Sequence, residues 1–217
     1  MAGTVITVAQ QKGGAGKTTL VAHLALTWAA QKKKVAVIDI DPQASLGAWY
    51  KVREAARGAG NTGIEYIGIA GWRAAAEVER RVRDHDLVLI DSPPHAETEA
   101  RIAVRAARLV VIPAQPSPLD VWATKPTLEL ARQEKVPTLL VLNRVPPRAN
   151  LTEAMVEALR ELGATLAFNQ LGNRVVLAAS LAEGLSLAEI GHSGRAAVEI
   201  RALAKEILEK AEEKART

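Results

Sequence analysis

Short apolar segments alternate with longer segments of helical period along most of the chain. Several of the short segments are apolar throughout, which is typical of parallel strands buried on both faces. Strands are predicted at Val5–Ala9, Val35–Ile40, Ile64–Ile69, Leu87–Ile90, Leu109–Ile112, Thr138–Leu142 and Thr165–Phe168. Helices are predicted at about Lys17–Gln31, Trp72–Arg83, Glu97–Ala107, Leu119–Gln133, Leu151–Leu162 and Arg195–Lys210. This alternation favours an α/β fold, with a doubly wound, mostly parallel sheet and helices on both faces in three layers.

One domain is predicted over residues 1–217, because no repeat, low-complexity tract or linker divides the chain. In the last helix, Ile200, Leu203 and Ile207 recur at helical spacing, so this helix is expected to pack on the sheet. The polar tail Ala211–Thr217 is predicted to fray.

Composition excludes several kinds of chemistry. The chain has no cysteine, which excludes disulfides, Cys-ligated zinc, iron–sulfur clusters and thiol catalysis. Its longest stretch without a charged residue, Thr18–Gln31, is shorter than the roughly 20 residues that cross a bilayer. The N-terminus lacks the pattern of a secretory signal, so a cytoplasmic protein is expected. The net charge of +4 permits a weak polyanion-binding surface without establishing one.

A glycine-rich loop gives the strongest chemical signal. The segment from Lys12 to Thr19, KGGAGKTT, follows the first predicted strand and opens the first predicted helix. Glycines let backbone N–H groups turn around phosphate oxygens, and the helix presents its positive end to them. Lys17 is placed to bind the β- and γ-phosphates, and Thr18 to offer its hydroxyl to Mg²⁺. The order of strand, loop and helix therefore predicts a P-loop.

This loop departs from the common P-loop pattern in two positions. Gln11 occupies the place of the first glycine, and Lys12 adds a second lysine at the start of the loop. In this deviant form the chain resembles the ParA/MinD family of P-loop ATPases, which dimerise around ATP. The resemblance extends from Thr4 to about Leu208 and is to short ParA-like proteins without an N-terminal helix-turn-helix. It implies that Lys12 reaches across the dimer to the phosphates of the other subunit.

Two further segments end in carboxylates. The segment 35–43, VAVIDIDPQ, resembles the family motif Asp-x-Asp-Pro-Gln, and 87–94, LVLIDSPP, resembles a Walker B strand. The resemblance makes Asp41 the residue that positions the attacking water and places Asp39 near the magnesium shell. Asp91 is expected to bind Mg²⁺ through water, because ligands of open α/β sheets gather at the carboxyl ends of strands.

Asn143 ends another predicted strand and resembles the family asparagine whose amide pairs with the adenine edge. A turn-forming asparagine after a strand is the alternative. The expected catalytic residues are Lys12, Lys17 and Asp41, and the expected metal set is Thr18, Asp39 and Asp91. The expected nucleotide-binding residues are Lys12, Gly13, Gly14, Ala15, Gly16, Lys17, Thr18, Thr19 and Asn143.

The resemblance also implies a working cycle with ATP and Mg²⁺ as cofactors. ATP closes a homodimer, the dimer binds nucleoid DNA without sequence preference, and a ParB-like or cargo adaptor stimulates slow hydrolysis. A plasmid, a chromosome or a protein cluster is positioned as a result. The expected location is therefore the nucleoid, with no membrane partner.

Non-specific DNA binding needs a basic surface. Family analogy favours a C-terminal set for this contact, namely Arg174, Arg195, Arg201 and Lys205. Arg101, Arg105 and Arg108 offer a second stripe at helical spacing. A solvated helix face is the alternative for either cluster.

Three other functions stay open. A MinD-like membrane-cycling ATPase would need an amphipathic C-terminal helix, whereas the tail after Leu208 is polar. A metabolic P-loop ligase of the dethiobiotin synthetase kind would need a small-molecule pocket beside the γ-phosphate, and the Asp-Pro-Gln motif argues against it. A nucleotide-dependent switch that hydrolyses too slowly to matter is disfavoured by the complete set of Lys12, Lys17, Asp41 and Asp91.

Overall fold

A six-stranded parallel sheet forms the centre of the structure, a computed structural model that describes residues 2–94, 97–147, 150–191 and 193–213. The strands are β1 (Thr4–Val8), β2 (Val35–Asp39), β3 (Glu65–Gly68), β4 (Leu87–Asp91), β5 (Leu109–Ala114) and β6 (Thr138–Leu142). The helices are α1 (Lys17–Ala30), α2 (Ser45–Arg57), α3 (Ala74–Arg81), α4 (Glu97–Ala106), α5 (Pro118–Gln133), α6 (Asn150–Glu161), α7 (Val175–Ala182) and α8 (Arg195–Glu213). The strand order is β3-β2-β4-β1-β5-β6, which confirms the predicted parallel α/β fold.

The central strands are apolar throughout because both faces of the sheet are covered. On β2, Val35 and Val37 join one core with α1 and α8. Ala36 and Ile38 join a second core with α3 and α4 on the opposite face. Successive strand residues alternate between the two cores, as the period of a strand requires.

Helix α1 lies in the interior for most of its length and connects the phosphate loop to the core. It packs against β2, β4, α7 and α8. The indole of Trp28 is fully buried and donates from Nε1 to the carbonyl of Ala204 on α8 at 3.2 Å. Ile200, Leu203 and Ile207 of α8 are buried in the same core, which confirms the predicted packing of the last helix.

Two predictions of secondary structure are wrong. The segment Thr165–Phe168 is not a strand: Leu166 forms an isolated bridge with Leu140, and the chain bends before Leu171 bonds to the end of β6. At the bend, the carboxylate of Glu206 accepts the N–H groups of Phe168 and Asn169. The predicted fraying from Ala211 is also wrong, since α8 continues to Glu213 and Ala211 is fully buried. The last part of that predicted tail, 214–217, lies outside the described residues.

Helices α2 and α7 were not predicted from the sequence. In α2 the buried positions are Leu46, Gly47, Trp49 and Arg53, so a glycine and a charged residue interrupt the apolar pattern. In α7 nearly every residue is apolar, and only Leu177 and Ser180 are buried, so periodicity gives no signal. Among the described residues, no helix is both long enough and apolar enough to cross a bilayer.

We expect Ala211→Asp to destabilise the protein. The carboxylate would enter the core between α8 and α1, and the free energy of unfolding should fall by about 1–3 kcal/mol. Urea unfolding of Ala211→Asp against Glu212→Ala, an exposed neighbour, measures the difference. Equal stability of the two variants would show that the last turn of α8 does not contribute to the core.

Candidate nucleotide-binding and hydrolysis site

Three parallel strands end side by side at one edge of the sheet. In the register of the sheet, Asp91 at the end of β4 lies beside Val8 of β1 and beside Asp39 of β2. The loop after β1, which contains the KGGAGKTT segment, therefore opens next to two carboxylates. This is the edge at which ligands of open α/β sheets bind.

Gly14 and Gly16 turn the loop into the first turn of α1. Their φ angles are 76° and 95°, in the left-handed region that favours glycine. A Cβ atom on Gly16 would lie 2.4 Å from Nδ2 of Asn143, so this position also has no room for a side chain. Residues Lys17 to Thr19 follow directly as the first turn of α1, whose N-terminal N–H groups attract phosphate.

Side chains from two later segments hold the loop by its carbonyl groups. Nε2 of Gln115 and a guanidinium nitrogen of Arg144 donate to the carbonyl of Gly14, at 3.2 and 3.3 Å. Nδ2 of Asn143 donates to the carbonyl of Ala15 at 2.9 Å. Because C=O and N–H of one trans peptide unit point in opposite directions, the N–H groups that follow these carbonyls are directed away from the three side chains. Such a row of N–H groups forms a hollow for an anion.

Lys17 and Thr18 lie at the base of this hollow. Lys17 is buried, and burial lowers the pKa of its ammonium group, while the charges of Asp91 and Asp41 act in the opposite direction. Oγ1 of Thr18 donates to Oδ2 of Asp91 at 2.7 Å. The predicted P-loop lysine, the predicted Mg²⁺ hydroxyl and the Walker B carboxylate are thus brought together.

Asp91 fits the role of a magnesium ligand. Burial raises the pKa of its carboxyl group to about 7, although the hydrogen bond from Thr18 lowers it. Its second oxygen, Oδ1, is buried with no hydrogen-bond partner in the protein. A buried oxygen without a partner is costly unless a cation or water satisfies it. Among the described residues no three acidic or histidine side chains form a metal cage, and Mg²⁺ characteristically combines one or two carboxylates with phosphate oxygens.

Asp39 holds the loop that carries Asp41. Oδ1 of Asp39 accepts the N–H of Asp41 at 3.0 Å. Its Oδ2 accepts the N–H of Gly47 and the hydroxyl of Tyr66, each at 3.2 Å. Burial raises the pKa of Asp39, and burial together with the neighbouring Asp39 raises the pKa of Tyr66. Both carboxylate oxygens of Asp39 therefore accept hydrogen bonds from the protein. The place of Asp39 in the magnesium shell stays a prediction.

Asp41 lies on the loop between β2 and α2 and is half-buried. Its Oδ1 accepts the N–H of Gln43 at 2.9 Å, which closes a tight turn of the kind that aspartate favours. Its negative charge is near enough to raise the pKa of Lys17 and the pKa of Asp91. Its predicted role in positioning water stays a prediction.

Lys12 forms an ion pair with the first turn of α5. Its Nζ lies 2.5 Å from Oδ2 of Asp120, a carboxylate that is itself fully buried. Oγ of Ser117 donates to the same oxygen at 2.6 Å, and the N–H of Gln115 donates to Oδ1 at 3.2 Å. The described contacts of Lys12 include none with its own phosphate loop.

Four residues of this site were not assigned a role from the sequence: Tyr66, Gln115, Asp120 and Arg144. Gln115 lies in the loop after β5, and its side chain reaches the P-loop. Asp120 follows a serine N-cap at the start of a helix, which is a usual place for an acidic residue, so its pairing with Lys12 could not be distinguished from capping.

The predicted DNA-binding residues fall into two groups. Arg174 is paired with Glu199 at 2.7 Å, and Lys205 is 3.7 Å from Glu209. Arg195 and Arg201 have no ion pair among the described residues. On α8, Arg201 and Lys205 are one turn apart on one face, and Arg195 lies on another. In the alternative stripe Arg101 and Arg105 both bind Glu134, and Arg108 lies beyond the end of α4, so that stripe is wrong as a single helical face.

Comparison with known protein families shows to which family this chain belongs. Residues 6–187 match the family described as the CobQ/CobB/MinD/ParA nucleotide-binding domain. The chain belongs to this family. It is a family of P-loop ATPases, and the six-stranded parallel sheet is its fold.

Relatives within this family include two proteins named for carboxysome distribution. Maintenance of carboxysome distribution protein A of Halothiobacillus neapolitanus is 29% identical, over 94% of this chain and 95% of its own length. The protein of the same name from Gloeobacter kilaueensis is 36% identical, over 73% of this chain and 70% of its own length. Among solved structures, the ATP complex of a Cyanothece McdA variant superposes with a TM-score of 0.78, at 18% identity, covering 98% of this chain and 96% of the other.

Asn143→Asp should weaken the binding of ATP and of GTP by a similar factor, about tenfold. The new carboxylate would face the carbonyl of Ala15 in place of an N–H donor, so the phosphate hollow itself would be disturbed. Binding of labelled ATP and GTP, with Asn61→Asp on an exposed turn as the control, measures the factor. A loss confined to ATP would instead assign Asn143 to the adenine edge.

Proposed function

We propose that this protein is a ParA-like ATPase that forms a sandwich dimer around ATP and positions a cargo by reversible binding to nucleoid DNA. An adaptor on the cargo stimulates its slow hydrolysis of ATP. The observation that carries the proposal is the second lysine of the P-loop. Lys12 pairs with Asp120 rather than with its own phosphate loop, next to the loop that carries Lys17 and Thr18.

Little covalent chemistry is required of the protein in phosphoryl transfer. The N–H groups of the loop and the ammonium of Lys17 would stabilise negative charge on the β- and γ-phosphates. Thr18 and Asp91 would hold Mg²⁺, which would supply positive charge to neutralise the phosphates. Asp41 would orient a water molecule toward the γ-phosphate, on the loop that Asp39 fixes.

Lys12 would act in the site of the second subunit. Its side chain pairs with Asp120 on α5 and stays about one-third exposed, so a second copy that approaches this edge would present its own phosphates as an alternative to Asp120. Exchange of one anionic partner for another keeps the ammonium paired throughout, which lowers the cost of moving it. Hydrolysis would then depend on dimerisation, with Lys12 stabilising the transferred charge somewhat as an arginine finger does.

Lys12→Ala and Asp41→Ala should each lower ATP hydrolysis by about 100-fold or more, because each removes a group that acts on the transferred phosphate. ATP binding by a single subunit should persist in both variants. Steady-state turnover, with the exposed Lys33→Ala as the control, tests the expectation. Normal turnover in either variant would remove that residue from the mechanism.

An equal mixture of the two variants separates action in trans from action in cis. Half of the dimers would be mixed, and each would contain one site with both Lys12 and Asp41, so roughly a quarter of the wild-type rate should return. No recovery, in a mixture shown to form dimers, would contradict the role of Lys12 in the second subunit.

A MinD-like membrane cycle has less support from α8. Most apolar residues of this helix between Ala196 and Ala211 are buried in the core with α1 and the sheet, and Val198 is the one large apolar residue that is exposed, so α8 has no continuous apolar face to enter a lipid surface. The function proposed here therefore includes no membrane partner.

A metabolic ligase has less support from the crevice beside Asp41. This crevice, of about 470 Å³, is lined by the carboxylates of Asp39, Asp41 and Glu99. A ligase of this kind phosphorylates a carboxylate or carbamate, and such a substrate would be repelled there.

Turnover in the presence of DNA and adaptor distinguishes the proposed ATPase from a switch that does not hydrolyse.

The names of two relatives bear on the cargo. Both are called proteins that maintain carboxysome distribution. This supports a protein microcompartment as the first cargo to test, before a plasmid or a chromosome. The adaptor would then be a protein attached to that compartment.

DNA retention tests the proposed function directly. The purified protein should be retained by two unrelated duplexes equally, with Mg·ATP but not with Mg·ADP or without nucleotide, and salt should release it. No retention by a protein shown to bind ATP and to dimerise would overturn the role of DNA.

Arg195→Ala and Arg201→Ala should each reduce the salt dependence of retention. Each loss of a phosphate contact lowers the slope of log K against log salt by about 1. Arg80→Ala is a matched control, since Arg80 is exposed on α3 and paired with Glu77. An unchanged slope in both test variants would move the DNA contact away from α8.

A further inference from the structure

The outward face of α5 is apolar only in its first turn. Leu119 is 62% exposed and Trp122 is 69% exposed, and the two lie one turn apart on the same face. Farther along the helix the exposed positions include three charged residues, Lys125, Glu129 and Arg132, besides Pro126 and Gln133. Two large apolar side chains next to each other in water indicate a surface that another molecule covers.

This apolar pair adjoins Lys12. Asp120, the residue after Leu119, forms the ion pair with Lys12 at 2.5 Å. Gln115, in the loop just before α5, binds the carbonyl of Gly14 in the phosphate loop. Leu119 and Trp122 are therefore contiguous with the edge at which the phosphate hollow opens.

We propose that Leu119 and Trp122 form the apolar anchor of the contact between two copies of this chain in the ATP-bound state. The inference rests on the proposed function, in which Lys12 serves the site of the second subunit. A lysine side chain spans only four methylene groups, so the second subunit must approach to contact distance of Lys12. Leu119 and Trp122, which lie next to the ion-pair partner of Lys12 in the sequence of α5, would then be covered.

The character of the two residues fits this role. Tryptophan and leucine on a rigid helix lose little conformational freedom when they are buried, and tryptophan is enriched among residues that dominate interfaces. In a two-fold dimer the same patch is used by both subunits, so each interface would bury two copies of Trp122. The charged positions Lys125 and Glu129 would lie toward the rim.

The accessibility of Trp122 can be measured by fluorescence. All four tryptophans of the chain lie within the described residues: Trp28 and Trp49 are buried, and Trp72 and Trp122 are exposed. In Trp72→Phe, acrylamide quenching of exposed indole reports on Trp122. Quenching should fall by about half or more on addition of Mg·AMPPNP, in step with dimer formation measured by light scattering.

Substitution of the anchor tests its contribution. Trp122→Ala should raise the dissociation constant of the AMPPNP-bound dimer about 30-fold or more, as expected for a central interface residue. Leu119→Ala should raise it less. Phe168→Ala, at a residue 94% exposed and remote in the fold, is the control and should leave the constant unchanged. Nucleotide affinity and the urea midpoint of each variant verify that the subunit is folded.

The outcomes separate the anchor from the proposed function. If the wild-type protein binds AMPPNP and stays monomeric, the dimer itself is contradicted. If it dimerises while Trp122 remains quenchable and Trp122→Ala dimerises normally, the anchor is contradicted and the dimer is not. Loss of adaptor stimulation alone in Trp122→Ala would likewise overturn the proposal, because it would assign this surface to the adaptor.

Discussion

The phosphate loop depends on being held by its carbonyl groups from the outside. A glycine-rich loop has many conformations, and ordering it without a ligand costs conformational entropy. Here Asn143 and Arg144, after β6, and Gln115, after β5, bind the carbonyls of Gly14 and Ala15. The N–H groups are left facing the opposite side, so these contacts from the protein itself define the anion hollow. Pre-organisation of this kind is what makes backbone dipoles effective in phosphoryl transfer.

The same contacts join parts of the site that are far apart in the sequence. Gln115 touches the loop through its side chain and Asp120 through its backbone N–H, and Asp120 in turn holds Lys12. Asn143 touches the loop on the side where β6 ends. The start and the middle of the phosphate loop are therefore joined to the segments after β5 and β6.

Much of the fold could be predicted from the sequence because the central strands are buried on both faces and show continuous apolar runs. The P-loop, Asp39 and Asp91 followed from their places at strand ends, and the sheet register brings them together. Helix α2 was not predicted because a buried arginine, Arg53, occupies a core position. The charge of Arg53 is neutralised by Glu189 from a distant segment. The position of Phe168 outside a strand depends on Glu206, a contact across many residues that no local pattern encodes.

The sequence could not predict which hydrogen-bond partners each side chain of the site has. Asp39 and Asp91 occupy equivalent ends of neighbouring strands, yet one binds loop backbone with both oxygens and the other keeps a buried oxygen without a protein partner. The difference arises because two backbone N–H groups face the end of β2, whereas the hydroxyl of Thr18 reaches only one oxygen at the end of β4. Spacing along the chain identifies both carboxylates and does not distinguish their tasks.

The burial of α1 divides the site into fixed and movable parts. Lys17 and Thr18 begin a helix that is buried from Leu20 to Leu26 and at Trp28, so the floor of the site cannot shift without disturbing the packing of α7 and α8. The loop that carries Asp41 is less buried, and Asp39 holds it through the N–H groups of Asp41 and Gly47. We therefore expect a change of shape on nucleotide turnover in this loop rather than in α1, and a partner that senses the state of the nucleotide would read it there.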